Sequence, residues 1–267
     1  MAVNRKHFNE FVEKDNIPEW ICPICSFGHI RLATEKSIKE TELKKSKKRR
    51  DDDEYWSPEE YEGKFTAILT CSNKICAESI YVLGDSFVGQ DVDGNGDMGY
   101  FNYLRPKLFN PTINLFEILK EYPDDVKNTL QDSFRLFWVD IESCANKIRV
   151  IVELIMNERR IVKTQKVKKG KRKLWLNERI TKFGEKYTEL SANMHAVKWI
   201  GNEGSHANAS LKSSDLLDGF DLLENCLYRL YSKENERLKK LSDRINKKKG
   251  PLSKKKKKFR ITTKGIT

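Results

Sequence analysis

Two short-spaced cysteine pairs constrain this chain more than anything else in it: "CPIC", with Cys22 and Cys25, and "CSNKIC", with Cys71 and Cys76. Four thiolates drawn to one point make a tetrahedron that suits zinc, each sulfur about 2.3 Å from the metal. The runs around the pairs read as strands: "FGHIRLA" after the first, "KFTAILT" before the second and "SIYVLGDSF" after it. The expectation is a small β-rich zinc ribbon over residues 1–104. Its Zn2+ is structural, because four cysteines leave no open position for water. Four reduced cysteines without metal are the competing reading, and His29 is a substitute ligand of second choice.

The 45 residues between the pairs exceed what a plain ribbon needs. The excess, residues 34–63, is a basic block followed by an acidic one, "TEKSIKETELKKSKKRRDDDEYWSPEEYEG". Such a composition buries little, so an exposed, mobile insertion is expected. Further on, Asp91, Asp93, Asn95, Gly96 and Asp97 match the opening of a calcium loop, but Asn102 stands where the bidentate glutamate belongs. A Gly/Asn/Asp-rich turn is the better reading.

Charge is plentiful and uneven. Charged residues make up 34% of the chain and hydrophobic ones 38%, with a net charge of +12. From Arg244 onward there are eleven Lys or Arg and no acid, so the rest of the chain is close to neutral. A second block, "RRIVKTQKVKKGKRK", carries nine basic residues between Arg159 and Lys173. Such blocks attract polyanions such as nucleic acid, or merely solvate a surface. The N-terminal "MAVNRKHFNEFVEKD" has no apolar core of a signal peptide, and no stretch approaches a membrane span. A cytoplasmic protein without a membrane partner is expected, and six cysteines in that compartment point away from disulfides.

Residues 105–123 read as a proline-punctuated linker, and residues 124–246 as a helical bundle before a basic tail at 247–267. Leu130, Phe134, Phe137, Ile141, Ala145, Ile148, Val152 and Ile155 recur in steps of three and four. Their spacing predicts one helix from near Pro123 to Arg160, about 50 Å long. The basic block reads as an inter-helix loop. Helical spacing resumes at Leu176, with Gly184 dividing two helices and Gly201 as a C-cap. A last helix, capped by Ser213 or Ser214, runs to Ile245 and buries Leu238, Leu241 and Ile245. Cys144 and Cys226 read as core packers. The fold class is therefore α+β and multidomain, a small β-rich unit followed by a mainly α-helical one.

Three runs carry a family likeness: "IRVIVELI" (Ile148–Ile155), "LNERITKF" (Leu176–Phe183) and "KWIGNEGSHA" (Lys198–Ala207). Over roughly residues 110–245 the chain resembles the HEPN superfamily (higher eukaryotes and prokaryotes nucleotide-binding domains). Within it, the chain looks most like a bacterial domain of unknown function found with defence and restriction genes. An N-terminal zinc ribbon is familiar in that group. The resemblance implies a metal-independent endoribonuclease acting on RNA in antiviral defence or as a toxin. It also implies a homodimer through the helical half and a protein partner from a defence operon.

The family's signature is an arginine, often followed directly by a polar residue, with a histidine a few residues on. Laid on this chain, Asn202 and His206 match, Gly201 takes the arginine's place, and Lys198 is the nearest upstream cation. The implied catalytic set is His206, Asn202 and Lys198. An imidazole titrating near neutrality moves protons to and from RNA oxygens. A guanidinium grips two phosphate oxygens, whereas an ammonium acts as a point charge. The alternative is a non-catalytic adaptor that binds nucleic acid or a protein partner. In it Gly201 caps a helix, Asn202 and Ser205 serve a turn, and His206 bonds a helix end, with His195 a packing or surface residue.

Overall fold

The structure is a computed structural model and describes residues 5–204 and 211–252. It is a mixed α/β molecule: a curled antiparallel sheet built from the N-terminal part, then helices. The early strands are short: β1 (Val12–Glu13), β2 (Trp20–Ile21), β3 (His29–Leu32) and β4 (Ile38–Glu42). After helix α1 (Lys44–Asp52) come three long ones, β5 (Glu62–Cys71), β6 (Ser79–Val92) and β7 (Met98–Asn110). The order across the sheet is β1-β7-β6-β5-β3-β2, and β4 lies beyond β3 along the same edge of β5. Alternation in β5 buries Gly63, Phe65, Ala67, Leu69 and Cys71 and exposes Lys64, Thr66 and Ile68 between them. That period brings Cys71 inward at the strand's end.

The charged stretch is largely exposed, as its composition suggests, but it is built into the sheet. Residues 38–42 pair with β5 from Ala67 to Gly63. Ser46 of α1 is fully buried and donates to Glu42 Oε1 at 3.0 Å, while Arg50 pairs with Glu42 at 2.6 Å and Arg49 with Glu62 at 3.0 Å. Lys14, from a distant segment, pairs with Glu40. The opposite charges neutralise one another across segments, which block-by-block composition does not reveal. The supposed linker is also structured: Arg105–Asn110 belongs to β7, and Ile113, Leu115, Phe116 and Tyr122 are buried. The β6–β7 connection is the expected turn, with Asp93 Oδ1 accepting from Asn95 N (2.8 Å) and Asp97 N (3.0 Å).

The helical half comprises α2 (Asp124–Phe137), α3 (Ile141–Glu158), α4 (Leu176–Gly184), α5 (Thr188–Glu203), α6 (Ser213–Tyr231) and α7 (Glu234–Lys248). A hairpin of β8 (Thr164–Val167) and β9 (Gly170–Lys173) stands between α3 and α4. The single long helix expected from periodicity is broken at Trp138–Asp140. Asp140 caps α3, its Oδ1 accepting from Ser143 N at 2.9 Å. The chain then folds back, bringing Cys144 Sγ to Ser133 O at 3.2 Å and Lys147 to Asp132 at 3.2 Å. Both helices turn their stripes to one core, so the spacing runs on through a reversal. Gly184 does divide α4 from α5.

The basic inter-helix loop is the β8–β9 hairpin. The last predicted helix is interrupted at Ser232, in extended backbone, and Lys212 rather than a serine is the N-cap of α6. On α7 Leu238 and Ile245 are exposed, contrary to the buried stripe expected of them. Cys144 and Cys226 are fully buried, as core packers should be. Sheet and bundle share one hydrophobic core. Trp138 is its hinge, with ring centroids 4.8 Å from Phe109, 6.4 Å from Trp20, 6.2 Å from Phe8 and 5.2 Å from Phe137.

Candidate functional site

The two cysteine pairs converge. Cys22 follows buried Trp20 and exposed Ile21, and so points inward from the end of β2, while Cys71 ends β5 on its buried face. Each pair is wound into a tight turn. Ser26 N donates to Cys22 O at 3.0 Å, and Ala77 N donates to Asn73 O at 2.8 Å. The residues that follow Cys25 and Cys76, Ser26 (φ 56°) and Ala77 (φ 48°), are both left-handed. That conformation costs a residue with a Cβ roughly 1–2 kcal/mol. Paying it twice, at equivalent places, aims all four sulfurs at one centre.

The Cys22–Cys76 and Cys25–Cys71 sulfurs are 3.9 and 3.7 Å apart, and all four lie within 4.8 Å of one another. A tetrahedron with arms of about 2.3 Å has edges of about 3.8 Å. Backbone N–H groups face the sulfurs: Gly28 N lies 3.4 Å from Cys25 Sγ and Asn73 N 3.4 Å from Cys71 Sγ. A Cβ on Gly28 would stand 2.5 Å from Cys71 Sγ, so glycine is required there. The N–H groups of Gly28 and Phe27 pull the Cys25 thiol down to about 6, while burial pushes Cys71 up to about 12. Without a cation the cluster holds only part of its negative charge, and a metal's charge deprotonates such thiols outright. The donor set fits a metal ion coordinated by four thiolates. His29 is exposed and stands outside it.

The second site is on α5, beside the middle of α3. Lys198 is only 4% exposed. Its ammonium donates to Asn177 Oδ1 at 3.2 Å and lies 3.1 Å from the centroid of the Trp199 ring. No carboxylate pairs with it among the described residues. Burial and the nearby Arg149 guanidinium both hold its pKa below the ordinary lysine value. Burial and Lys198 in turn lower His195. Two cationic side chains, Lys198 and Arg149, and the His195 imidazole thus gather around α5. Asn202, one helical turn beyond Lys198, is half-buried. His206 lies outside the described residues.

Gly201 is not the cap. It sits inside α5, and a Cβ there would stand 2.5 Å from Arg149 Cβ and 2.8 Å from Ala145 O. Gly204, the actual C-cap, is equally close to Glu142 O. These glycines let α5 lie directly on α3, so the position could not hold an arginine side chain. The cation beside it comes instead from α3, as Arg149.

Sequence reasoning missed the first turn of α4, where three consecutive residues reach three neighbours. Asn177 bonds Lys198 on α5. Glu178 takes Arg172 of the hairpin and accepts from Trp175 N at 2.8 Å. Arg179, buried, donates to Asn157 Oδ1 at 2.9 Å and Ile161 O at 3.2 Å at the end of α3. The sequence marked the segment through "LNERITKF" and as a polar run after a basic block, but not the partners of these three residues.

Residues 10–109 match the family model for a domain of unknown function (DUF8608), and residues 131–248 match that for another domain of unknown function (DUF4145). No curated protein and no solved structure matches the chain. The first match ends one residue before the end of β7, and the second begins within α2. Among the described residues, no helix is long and apolar enough to cross a membrane.

Proposed function

We propose that this protein is a HEPN-type, metal-independent ribonuclease-like effector that acts on RNA in bacterial antiviral defence or as a toxin. Its N-terminal unit is a zinc ribbon with a structural Zn2+ on Cys22, Cys25, Cys71 and Cys76. The observation that carries the catalytic reading is Lys198, a buried cation with no carboxylate partner among the described residues, beside Arg149 and one turn before Asn202. A buried charge is normally paired, and leaving it unpaired is costly. A phosphodiester is the anion that would repay that cost.

In this reading Arg149 supplies from α3 the guanidinium that Gly201 cannot carry. Arg149 and Lys198 stabilise charge on the phosphorane, Asn202 orients the phosphate, and His206 exchanges protons with the attacking and leaving oxygens. Two copies facing each other as a homodimer would double the cationic charge at the cleft. The experiment is cleavage of a mixed RNA pool with EDTA present, by wild type and by His206→Ala. Cleavage by the wild type that disappears in the variant is expected; cleavage that survives the substitution contradicts the assignment.

The second reading is a non-catalytic adaptor in a defence system, binding nucleic acid or a protein partner. The engagement of Lys198 with Asn177 and Trp199 favours it, because those contacts give the ammonium a structural task. It predicts salt-sensitive RNA binding without turnover.

A further inference from the structure

The β8–β9 hairpin has two faces with different tasks. Directly paired residues of an antiparallel ladder point to the same side. The pairs Thr164–Lys173 and Lys166–Lys171 therefore share one face, and Gln165–Arg172 and Val167–Gly170 the other. The second face is anchored. Arg172 donates to both carboxylate oxygens of Glu178, at 2.6 and 3.0 Å, and Leu174 N closes the hairpin on Lys163 O at 2.9 Å. Leu174 itself is buried.

On the first face Lys166, Lys171 and Lys173 are exposed. Like Lys168 and Lys169 at the turn, they have no acidic partner among the described residues. Every residue of both strands is exposed, so the ribbon gains nothing from burial while its lysines repel one another. A polyanion lying along that face relieves the repulsion.

Two largely exposed indoles are found near the hairpin base. Trp175, two residues past Lys173, is 76% exposed, and Trp199 is 61% exposed. The Asn177–Lys198 bond ties the start of α4 to α5, and Trp175 and Trp199 lie within two residues of the bonded pair in sequence. The Lys198 ammonium lies over the Trp199 ring, most of which is still open to solvent. An exposed aromatic face beside a lysine row suits unpaired bases, which stack on indoles while cations follow the phosphates.

We infer that the lysine face of the hairpin, with Trp175 and Trp199, is a track for single-stranded RNA. The inference rests on the RNA-acting reading above and adds the form of the RNA and the surface that receives it. Bases inside a duplex are already stacked on each other and offer no free face to an indole.

The test is fluorescence anisotropy on full-length His206→Ala protein, so that binding is read without turnover. The probes are labelled oligouridine and a labelled RNA duplex, each titrated over a series of salt concentrations. Oligouridine is expected to bind more tightly than the duplex. Replacing Lys166, Lys171 and Lys173 together by Gln should lower the slope of log affinity against log salt by about 2, at roughly 0.7 per phosphate contact. Trp175→Ala should weaken oligouridine binding about tenfold without changing that slope, and Trp175→Phe should restore most of it. All substituted side chains are exposed, so the variants should melt with the parent protein. Oligouridine binding untouched by the lysine and Trp175 variants would overturn the track and leave the RNA reading standing. Equal affinity for duplex and oligouridine, with Trp175→Ala silent, would overturn the single-strand assignment. Absence of RNA binding by the parent protein would overturn both.

Discussion

The Glu178 carboxylate accepts from both terminal nitrogens of Arg172, at 2.6 and 3.0 Å, and so fixes a surface hairpin to the first turn of a helix. Arg172, followed by the Trp175 N–H, holds the Glu178 carboxyl down at about 2, against an ordinary value near 4.5. A depressed carboxylate contributes its stabilisation above its unfolded pKa and loses it as pH falls through the folded one. The hairpin anchor should therefore be complete above about pH 4.5 and released toward pH 2. An NMR titration of the Glu178 carboxyl checks this: a midpoint near the ordinary value would mean that the pair does not form.

Gly201→Ala should destabilise the protein by about 1–3 kcal/mol, as overpacking does. Helix propensity alone predicts the reverse, a gain of roughly 1 kcal/mol for alanine over glycine. The added methyl meets Arg149 Cβ and Ala145 O in the α3–α5 contact. Urea denaturation decides between the two signs.

Trp138→Ala should cost about 3–5 kcal/mol, the usual penalty for truncating a buried aromatic. Because Trp138 packs on Phe109 of the sheet and Phe137 of the bundle, the loss should be felt by both. Calorimetry showing the sheet melting at its original temperature in the variant would contradict a shared core.

Purified protein should contain about one zinc per chain, as a single four-thiolate site holds one ion. Removing it with a chelator should lower the melting temperature of the sheet, because site formation and folding are coupled. Cys71→Ser should show both effects without a chelator. Metal analysis that finds no zinc in protein prepared without chelators would refute the assignment.

Lys198→Met should leave the fold at least as stable while cutting RNA cleavage by about 10²-fold, the scale for losing one transition-state cation or donor. Burying a lysine without a carboxylate is unfavourable, and methionine fills similar space without that penalty. Cleavage that persists undiminished would remove Lys198 from the chemistry.

Strands β3, β5 and β6, the cysteine convergence and the α4–α5 division at Gly184 could be read from letters alone, because each rests on short runs or spacings in the sequence. The break at Trp138–Asp140 could not, since an apolar stripe continues through a reversal when both helices face the same core. Gly201 illustrates a second limit: a glycine that ends a helix and one that admits a neighbouring helix look alike in sequence. Lys198 stood out as a cation, but Asn177 and Arg149 come from other helices and only the fold brings them near. The charged stretch misled because its charges are paired in three dimensions, Arg50 with Glu42 and Arg49 with Glu62 within the stretch and Lys14 with Glu40 from outside it, which block-by-block composition does not show.

That stretch also guards the molecule against its own kind. Where β3 stops, β5 would present bare backbone from Gly63 to Ala67, an open template on which another chain could grow. Residues 38–42 cover it with a strand that is short and, at Lys39, Glu40 and Glu42, charged, a poor surface for further recruitment. Trimming residues 34–61 as a dispensable appendage would expose that template and invite assembly through the sheet edge.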